Sequence, residues 1–246
     1  QWNFRLMEEA VHSSSLIFLT MTYEVPPYSK NGFQTLDRKV FPSFMKRLRK
    51  NLDIKTKYYA VGEYGGITYR PHYHAICFNL NKNHGEAIQN AWNYNKKGNY
   101  VPGHIHIDVG NDATIKYVTK YLMKGKFSTI GKGEYFDDQT GEIVQDDRIK
   151  EFSLMSKGMG LKFLTPQMTK YIKQHLESSV KIHGAHLSIP RYYKDKVFTE
   201  AEKKVISLKH EIMRMENQMT ATEWENYRTV INYKHKQAIF NKRTKI

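Results

Sequence analysis

Cysteine is nearly absent from this chain. Cys77 stands alone, so no disulfide can form within the chain, and the fold must rest on packing and hydrogen bonds, as suits a reducing cytoplasm. Long apolar runs are also missing. The longest lies around Leu16-Ile17-Phe18-Leu19, far short of the ~20 residues that span a bilayer, and no signal peptide is visible. No Gly-x-x-x-x-Gly-Lys-Ser/Thr occurs, which excludes a P-loop nucleotide motor in these residues. Negative charge is scarce: 24 Asp and Glu face 39 Lys and Arg, a net charge of +15. An excess of that size favours a polyanionic partner, nucleic acid before an anionic membrane. The chain starts at Gln1 rather than Met, which suggests processing or a missing natural N-terminus. What is present suffices for a packed core: 40% of 246 residues are apolar, enough for one large domain or a domain with an accessory piece.

Pattern and punctuation predict the elements. Leu16 to Tyr23, rich in β-formers, reads as a buried strand. Pro26-Pro27 and Asn31-Gly32 mark a loop. Phe41, Phe44, Leu48 and Leu52 recur at helical spacing between Thr35 and Leu52, with Pro42 in the first turn. Lys57 to Tyr64 and His72 to Leu80 read as two strands joined at Gly65-Gly66 in an antiparallel hairpin. Asn83 to Tyr94 reads as a helix. His104 to Val109 alternates as a strand with Ile105, Ile107 and Val109 toward the core. Asn111 or Asp112 caps a helix over Ala113 to Lys124, which Gly125 ends. The turn-rich stretch 126–150 reads as an inserted loop or hairpin. Another helix runs from Pro166 through Glu177. Thr199-x-x-Glu202 and Thr220-x-x-Glu223 are capping boxes that open two polar helices, expected to form a C-terminal hairpin. The sum is an α+β fold, one antiparallel sheet with helices on one side. Residues 1–198 are expected to form the main domain and 199–246 a helical extension.

Two places carry chemistry. His72 and His74 alternate on one strand, so their rings share a face, and both nitrogens can reach one ion at about 2.0–2.1 Å. Folding back at Gly65-Gly66 brings the Glu63 carboxylate toward them. Two imidazoles and a carboxylate leave coordination positions open for water or substrate. A second set, His104, His106 and Asp108, shares a face of its own strand and is either an alternative ligand set or the solvated side of a half-buried strand; the clean alternation favours the second. On the helix beyond, Tyr117 and Tyr121 are neighbours one turn apart, and each is followed at the third residue by a lysine, Lys120 and Lys124. At about 100° per residue, Ile115, Val118 and Leu122 form the core stripe and the tyrosines fall mostly outside it. A phenol is a poor nucleophile unless a proton acceptor or cation assists it. A phosphodiester resists attack until its charge is withdrawn, which a divalent ion and lysines can do. Two adjacent nucleophiles suit successive cutting and joining.

The order "FLTMTY", "GEYG…RPHYHAICF" and "YVTKYLMK" resembles the HUH endonucleases, and within them the replication initiators of microviruses, the small single-stranded DNA phages of gokushovirus type. The later stretches "EFSLMSKGMG" and "IPRYYKDKVF" are similar too, so the resemblance covers roughly residues 1 to 198. It implies an antiparallel sheet of about five strands flanked by helices. It implies Mg²⁺ or Mn²⁺ on His72, His74 and Glu63, with Tyr117 and Tyr121 as nucleophiles assisted by Lys124 and Lys120. The implied activity is origin nicking with a covalent link to the 5′ phosphate and a 3′ hydroxyl left as primer, followed by strand rejoining in the host bacterial cytoplasm. It further implies a host helicase as partner and a cysteine-rich, zinc-binding segment ahead of Gln1. Lys55, Lys57, Tyr69 and Arg70 flank the hairpin and are candidates to hold single-stranded origin DNA through phosphate and base contacts. Three other readings compete: a related transposase or relaxase, a nucleic-acid-binding module that does not cut, and a non-haem iron oxygenase, whose sites also use two histidines and a carboxylate. No membrane partner is expected.

Overall fold

The computed structural model describes residues 1–94, 99–100, 103–124, 130–131, 133–136, 141–176, 179–182 and 185–216, with isolated positions between 220 and 233; the side chains of 121–124, 181–182, 185–186 and 213–216 lie outside this set. In chain order the elements are α1 (Trp2–Val11), β1 (Leu16–Tyr23), α2 (Val40–Leu52), β2 (Lys57–Tyr64), β3 (Pro71–Phe78), α3 (Gly85–Asn93), β4 (Gly103–Val109), α4 (Asp112–Lys124), β5 (Glu134–Phe136), β6 (Ile143–Gln145), β7 (Phe152–Met155), α5 (Pro166–His175), β8 (Ser179–Ile182), β9 (Ala185–Ser188), α6 (Arg191–Val197) and α7 (Glu200–Glu216). Two compact units divide at residue 168: Gln1–Met168 and Thr169–Ile246. The boundary expected near 198 falls inside the second unit.

The first unit is built on a five-stranded sheet of order β4-β1-β3-β2-β7, antiparallel throughout. This is the expected α+β architecture with one correction. Helices cover both faces, not one. On one face Ile17, Leu19, Met21, Tyr58, Ala60, Tyr73, Ala75 and Cys77 bury against Phe41, Phe44 and Leu48 of α2 and Ile88 and Trp92 of α3. On the other, Phe18, Tyr59, Val61, Ile76 and Phe78 bury against Leu6 of α1 and Ile115 and Val118 of α4. A strand covered on both sides has no polar alternation to show, which is why β1 reads as an almost unbroken apolar run.

Helix α1 was invisible to periodicity because its charges point inward. Arg5 donates from Nε and Nη2 to the Met159 carbonyl at 3.1 and 3.0 Å. One turn on, the buried Glu9 carboxylate accepts from Lys57 Nζ and from the Gly160 amide, both at 2.8 Å. Hydrogen bonding of this kind, with an ion pair for Glu9, lets Arg and Glu be buried without a large desolvation penalty. Strand β7 was missed too; four residues are too few for a pattern to declare itself.

Other boundaries shift slightly. The helix expected from Asn83 begins as a 3-10 turn over Lys82–His84 that leads into α3 and is capped by Asn81, whose side chain accepts from the Asn83 amide at 3.0 Å. Asn111 caps α4, accepting from the Thr114 amide at 3.0 Å. Helix α5 ends at His175; Glu177 lies outside the described residues, as does Gly125. The stretch 126–150 contains the β5–β6 hairpin. In the second unit β8 and β9, which no sequence signal announced, pair antiparallel. Both capping boxes form: the Thr199 and Thr220 amides donate to Glu202 and Glu223 at 2.7 and 2.6 Å. Most of the helix opened by Thr220, and with it the expected C-terminal hairpin, lies outside the described residues.

These buried polar ties generate two predictions. Glu9→Ala leaves the Gly160 amide and Lys57 without their shared acceptor, and urea unfolding should register a loss of about 1–3 kcal/mol. In the β5–β6 region, hydrogen bonds from Arg148 hold the Asp146 carboxyl down at about 2, against the smaller opposing effect of burial, with the Gly131 and Arg148 amides adding to the lowering. A folded-state value below the unfolded ~3.9 means the stabilisation is complete above about pH 4 and lost as pH falls toward 2. The protection of the Gly131 and Arg148 amides, taken relative to intrinsic exchange at each pH, should therefore fall over that interval, and Asp146→Asn should lack that protection at every pH.

Candidate metal centre and nucleophile

The centre begins with a turn. The Gly65 amide donates to the Arg70 carbonyl and the Tyr69 amide to the Gly65 carbonyl, both at 3.0 Å. This closure sets the register of the β2–β3 hairpin, in which Glu63 lies directly opposite His72 and Val61 opposite His74. Directly opposed residues point to the same face, and His74 follows His72 by one strand period. The three side chains therefore converge by backbone geometry alone. Each offers a ligand atom, and these atoms lie within 4.8 Å of one another.

Hydrogen bonds specify what the cluster wants. His72 Nδ1 lies 3.1 Å from the Arg70 carbonyl. A carbonyl oxygen only accepts, so Nδ1 carries a proton. Nε2 faces Glu63 Oε1 at 2.9 Å: as an imidazolium it donates to the carboxylate, and as a neutral ring its lone pair needs a cation between the two. His74 Nε2 approaches the same oxygen at 3.4 Å, while its Nδ1 meets Thr20 Oγ1 at 3.1 Å. The other carboxylate oxygen, Glu63 Oε2, is buried with no hydrogen-bond partner among the described residues. Burial raises the Glu63 pKa, and the hydrogen bonds to His72 and His74 more than offset it, leaving a net lowering. A buried, anionic carboxylate with an orphaned oxygen and two imidazole Nε2 atoms beside it fits a divalent cation. Such ligand histidines normally have their other nitrogen fixed by an outer partner, as Arg70 and Thr20 do here.

Helix α4 brings the phenol. The Tyr117 ring sits edge-on to the His74 ring at 5.8 Å between centroids and edge-on to Phe18 at 5.9 Å, and Phe18 in turn stacks on His74 at 5.4 Å. Tyr117 stays 45% exposed, while Ile115 and Val118 of the same helix are fully buried. The phenol is thus held at the rim of the cluster with one side open. Lys120 is exposed one turn further along. Tyr121 and Lys124 lie on α4, but their side chains are outside the described residues.

The remaining candidates fall in different places. His104, His106 and Asp108 share a face of β4, where His106 and Asp108 pair at 2.9 Å. They do not join the Glu63 cluster. Of the apolar side of β4, Ile105 and Ile107 pack on the core, whereas Val109, expected there, is 63% exposed. Lys57 is committed to Glu9 and to the Gly158 carbonyl, and Lys55 is exposed beside it. Both lie at the opposite end of β2 from Glu63, about 20 Å away along the strand. Arg70 donates to the carbonyls of Tyr23 and Glu24, bracing the end of β1. Tyr69, 51% exposed, is at the hairpin tip. Thr20 was not picked out from the sequence. It faces His74 because β1 pairs with β3, not with the next strand in the chain, and only the alternation of Thr20 and Thr22 with apolar residues hinted at a polar strip there.

Titrating Mn²⁺ into the wild-type chain should raise its melting temperature with the logarithm of concentration, and Glu63→Gln or His72→Ala should abolish the rise. Thr20→Val, close to isosteric, should weaken Mn²⁺ binding by about ten-fold by releasing His74. A wild-type melting temperature indifferent to Mn²⁺ and Mg²⁺ would remove the metal reading.

Comparison with known proteins points the same way as the motifs. Residues 16–126 match the model of a family described as replication-associated protein ORF2. The replication-associated protein ORF4 of Chlamydia phage 1 is 27% identical over 205 residues, 77% of this chain and 47% of that protein. The replication-associated protein VP4 of Bdellovibrio phage phiMH2K is 26% identical over 215 residues, 76% of this chain and 60% of that one. The chain therefore spans about half the length of the curated relatives it matches. Among solved structures, the hypothetical protein ORF119 from Sulfolobus islandicus rod-shaped virus 1 overlaps 50% of this chain and 91% of its own at 18% identity, with a TM-score of 0.33, a likeness too slight to argue from. The matched span runs from β1 to the end of α4 and holds Glu63, His72, His74, Tyr117, Tyr121 and Lys124. Over residues 16–126 the chain carries the region of the replication-associated ORF2 family, and along most of its length it resembles the replication-associated proteins of microviruses.

Proposed function

We propose that this chain is the nicking and joining part of a rolling-circle replication initiator, a metal-assisted endonuclease acting on single-stranded origin DNA. The observation that carries the reading is the Tyr117 ring resting against His74, a ligand of a pocket that calls for a cation, in a chain with a net charge of +15. His72, His74 and Glu63 would hold Mg²⁺ or Mn²⁺. The ion, when bound, withdraws charge from a phosphodiester and orients it.

The chain's own groups do the rest. The Tyr117 hydroxyl attacks phosphorus, the bond from phosphorus to the 3′ oxygen breaks, and the proton lost by the phenol is balanced by one gained at that oxygen. The products are a phosphotyrosyl link to the 5′ phosphate and a free 3′ hydroxyl for a polymerase. One phosphoester replaces another, so the step is reversible and needs no nucleotide hydrolysis. Tyr121, one helical turn along α4, makes the second attack that releases and rejoins a circle. Lys120 and Lys124 offset charge building on the phosphate. A host helicase would open the duplex, in the host bacterial cytoplasm. Among the described residues no helix is long and apolar enough to cross a membrane. We assign the catalytic module to residues 1–198, with 199–246 as an extension.

The test is a covalent-adduct assay with Mn²⁺ and labelled single strands drawn from a microvirus origin. A denaturation-resistant adduct should form with the wild type and vanish in His72→Ala and in the Tyr117→Phe, Tyr121→Phe double variant. Each single variant should retain one half of the cut-and-join cycle. An adduct that survives loss of both tyrosines would overturn the assignment. Binding without any adduct would favour a non-cutting module.

A further inference from the structure

A row of planar groups runs from the tip of the β2–β3 hairpin to the β5–β6 hairpin, outside the metal centre. The Arg148 guanidinium is fixed by Asp146, with Nε to Oδ1 at 2.9 Å and Nη2 to Oδ2 at 2.8 Å. Its central carbon lies 5.4 Å from the centre of the Tyr69 ring and 5.2 Å from that of Phe33. Phe33 in turn meets Tyr135 edge-on at 5.8 Å. The two ends of the row are open: Tyr69 is 51% and Tyr135 53% exposed. The simplest use of such a row is to clasp the β5–β6 hairpin and the residues after it to the loop between β1 and α2, and hydrogen bonds already do that, since Asn31 Nδ2 donates to the Gln145 carbonyl at 2.8 Å and the Ile149 amide to Thr35 Oγ1 at 2.9 Å.

Tyr69 adds a second observation. Its φ is +50°, the left-handed region where a residue with a Cβ carries a backbone penalty and glycine carries none. A tyrosine at that position holds its ring outward at the tip of the turn against that penalty. The tip is also close to the chemistry: His72 follows Tyr69 by three residues, so their Cα atoms lie within about 10 Å.

We infer that Tyr69, Arg148 and Tyr135 form a stacking site for unpaired bases of the single strand adjoining the scissile phosphate. Flat aromatic faces joined through a guanidinium bind any base through its π face, whereas the Arg148–Asp146 pair leaves little net charge there for phosphate. An apolar protein segment is the alternative occupant, and the row's aromatic content beside a cation pocket in a strongly basic chain favours the nucleic acid. The inference rests on the replication reading and names how that site holds its substrate.

The test uses the full chain without metal, a fluorescein-labelled oligothymidylate of about twelve nucleotides, and an abasic oligomer of equal length and charge. The wild type should prefer the base-bearing strand by about ten-fold or more. Tyr69→Gly and Tyr135→Ala should each lose about ten-fold on that strand and nothing on the abasic one, with the salt dependence unchanged. Tyr69→Gly should melt no lower than the wild type, since it relieves the backbone penalty. Variants that bind oligothymidylate like the wild type, whatever their melting temperatures, would reduce the row to a structural clasp and overturn the inference while leaving the nicking reading intact if the wild type forms its adduct. A wild type that binds neither oligomer would overturn both.

Discussion

The structure turns on the register of one hairpin. Side chains on a strand alternate with a period of two, so a slip of one residue between β2 and β3 would send Glu63 to the opposite face from His72 and His74. The Glu63–histidine contacts form only once the register is right, so they do not choose it by themselves. The turn must fix it instead. The Gly65–Arg70 closure does so, and the Arg70 carbonyl serves twice, ending the turn and orienting His72 through Nδ1. Apolar alternation on both faces of the hairpin reinforces the same register: Tyr58, Ala60, Tyr73, Ala75 and Cys77 can meet α2 and α3 only if Tyr59, Val61 and Ile76 meet α1 and α4.

The position of the site follows from how far α4 extends over the sheet. Ile115 and Val118 cover Phe18 and Ile76 toward one end of the strands, and past them the same face becomes polar with Thr20, Thr22, His72, His74 and Glu63. Tyr117 is at that border, one flank against Phe18 and His74 and the other open. A helix that covered the whole face would have buried the cluster beyond reach of a phosphodiester; one that covered none would have left the phenol without a fixed orientation. The aromatic contact with His74 joins the candidate metal cluster and the proposed nucleophile into a single packed unit, so that a shift of one is felt by the other.

Much of this was legible from residue order. The hairpin, its turn and the convergence of Glu63 with the two histidines follow from period-two alternation about Gly65-Gly66, and the outward lie of Tyr117 follows from the stripe of Ile115 and Val118. What escaped the sequence is non-local or inverted in polarity. Thr20 meets His74 because β1 inserts between β3 and β4, an order that alternation within one strand does not encode. Helix α1 hid because its inward residues include Arg5 and Glu9, which periodicity assigns to solvent. Lys57 was counted as a free cation for the same reason, though its partner lies 48 residues earlier in the chain. Helices on both faces of the sheet were therefore out of reach until α1 was seen.

The same electrostatic logic couples the site to the fold. Without a cation, the sheet holds Glu63, anionic and buried, against His72 and His74, with the β2–β3 pairing, the Thr20 and Arg70 contacts and the packing of Phe18 and Tyr117 on His74 keeping the three together. A proton shared between His72 and Glu63 can relieve that contact, but it cannot also satisfy Glu63 Oε2, which stays buried without a partner. A divalent ion relieves both at once. On the proposed reading, the polar end of the sheet would gain order when the ion binds. Metal affinity and local folding would then be two descriptions of one equilibrium, and Thr20, which meets the cluster only through His74, would act on both.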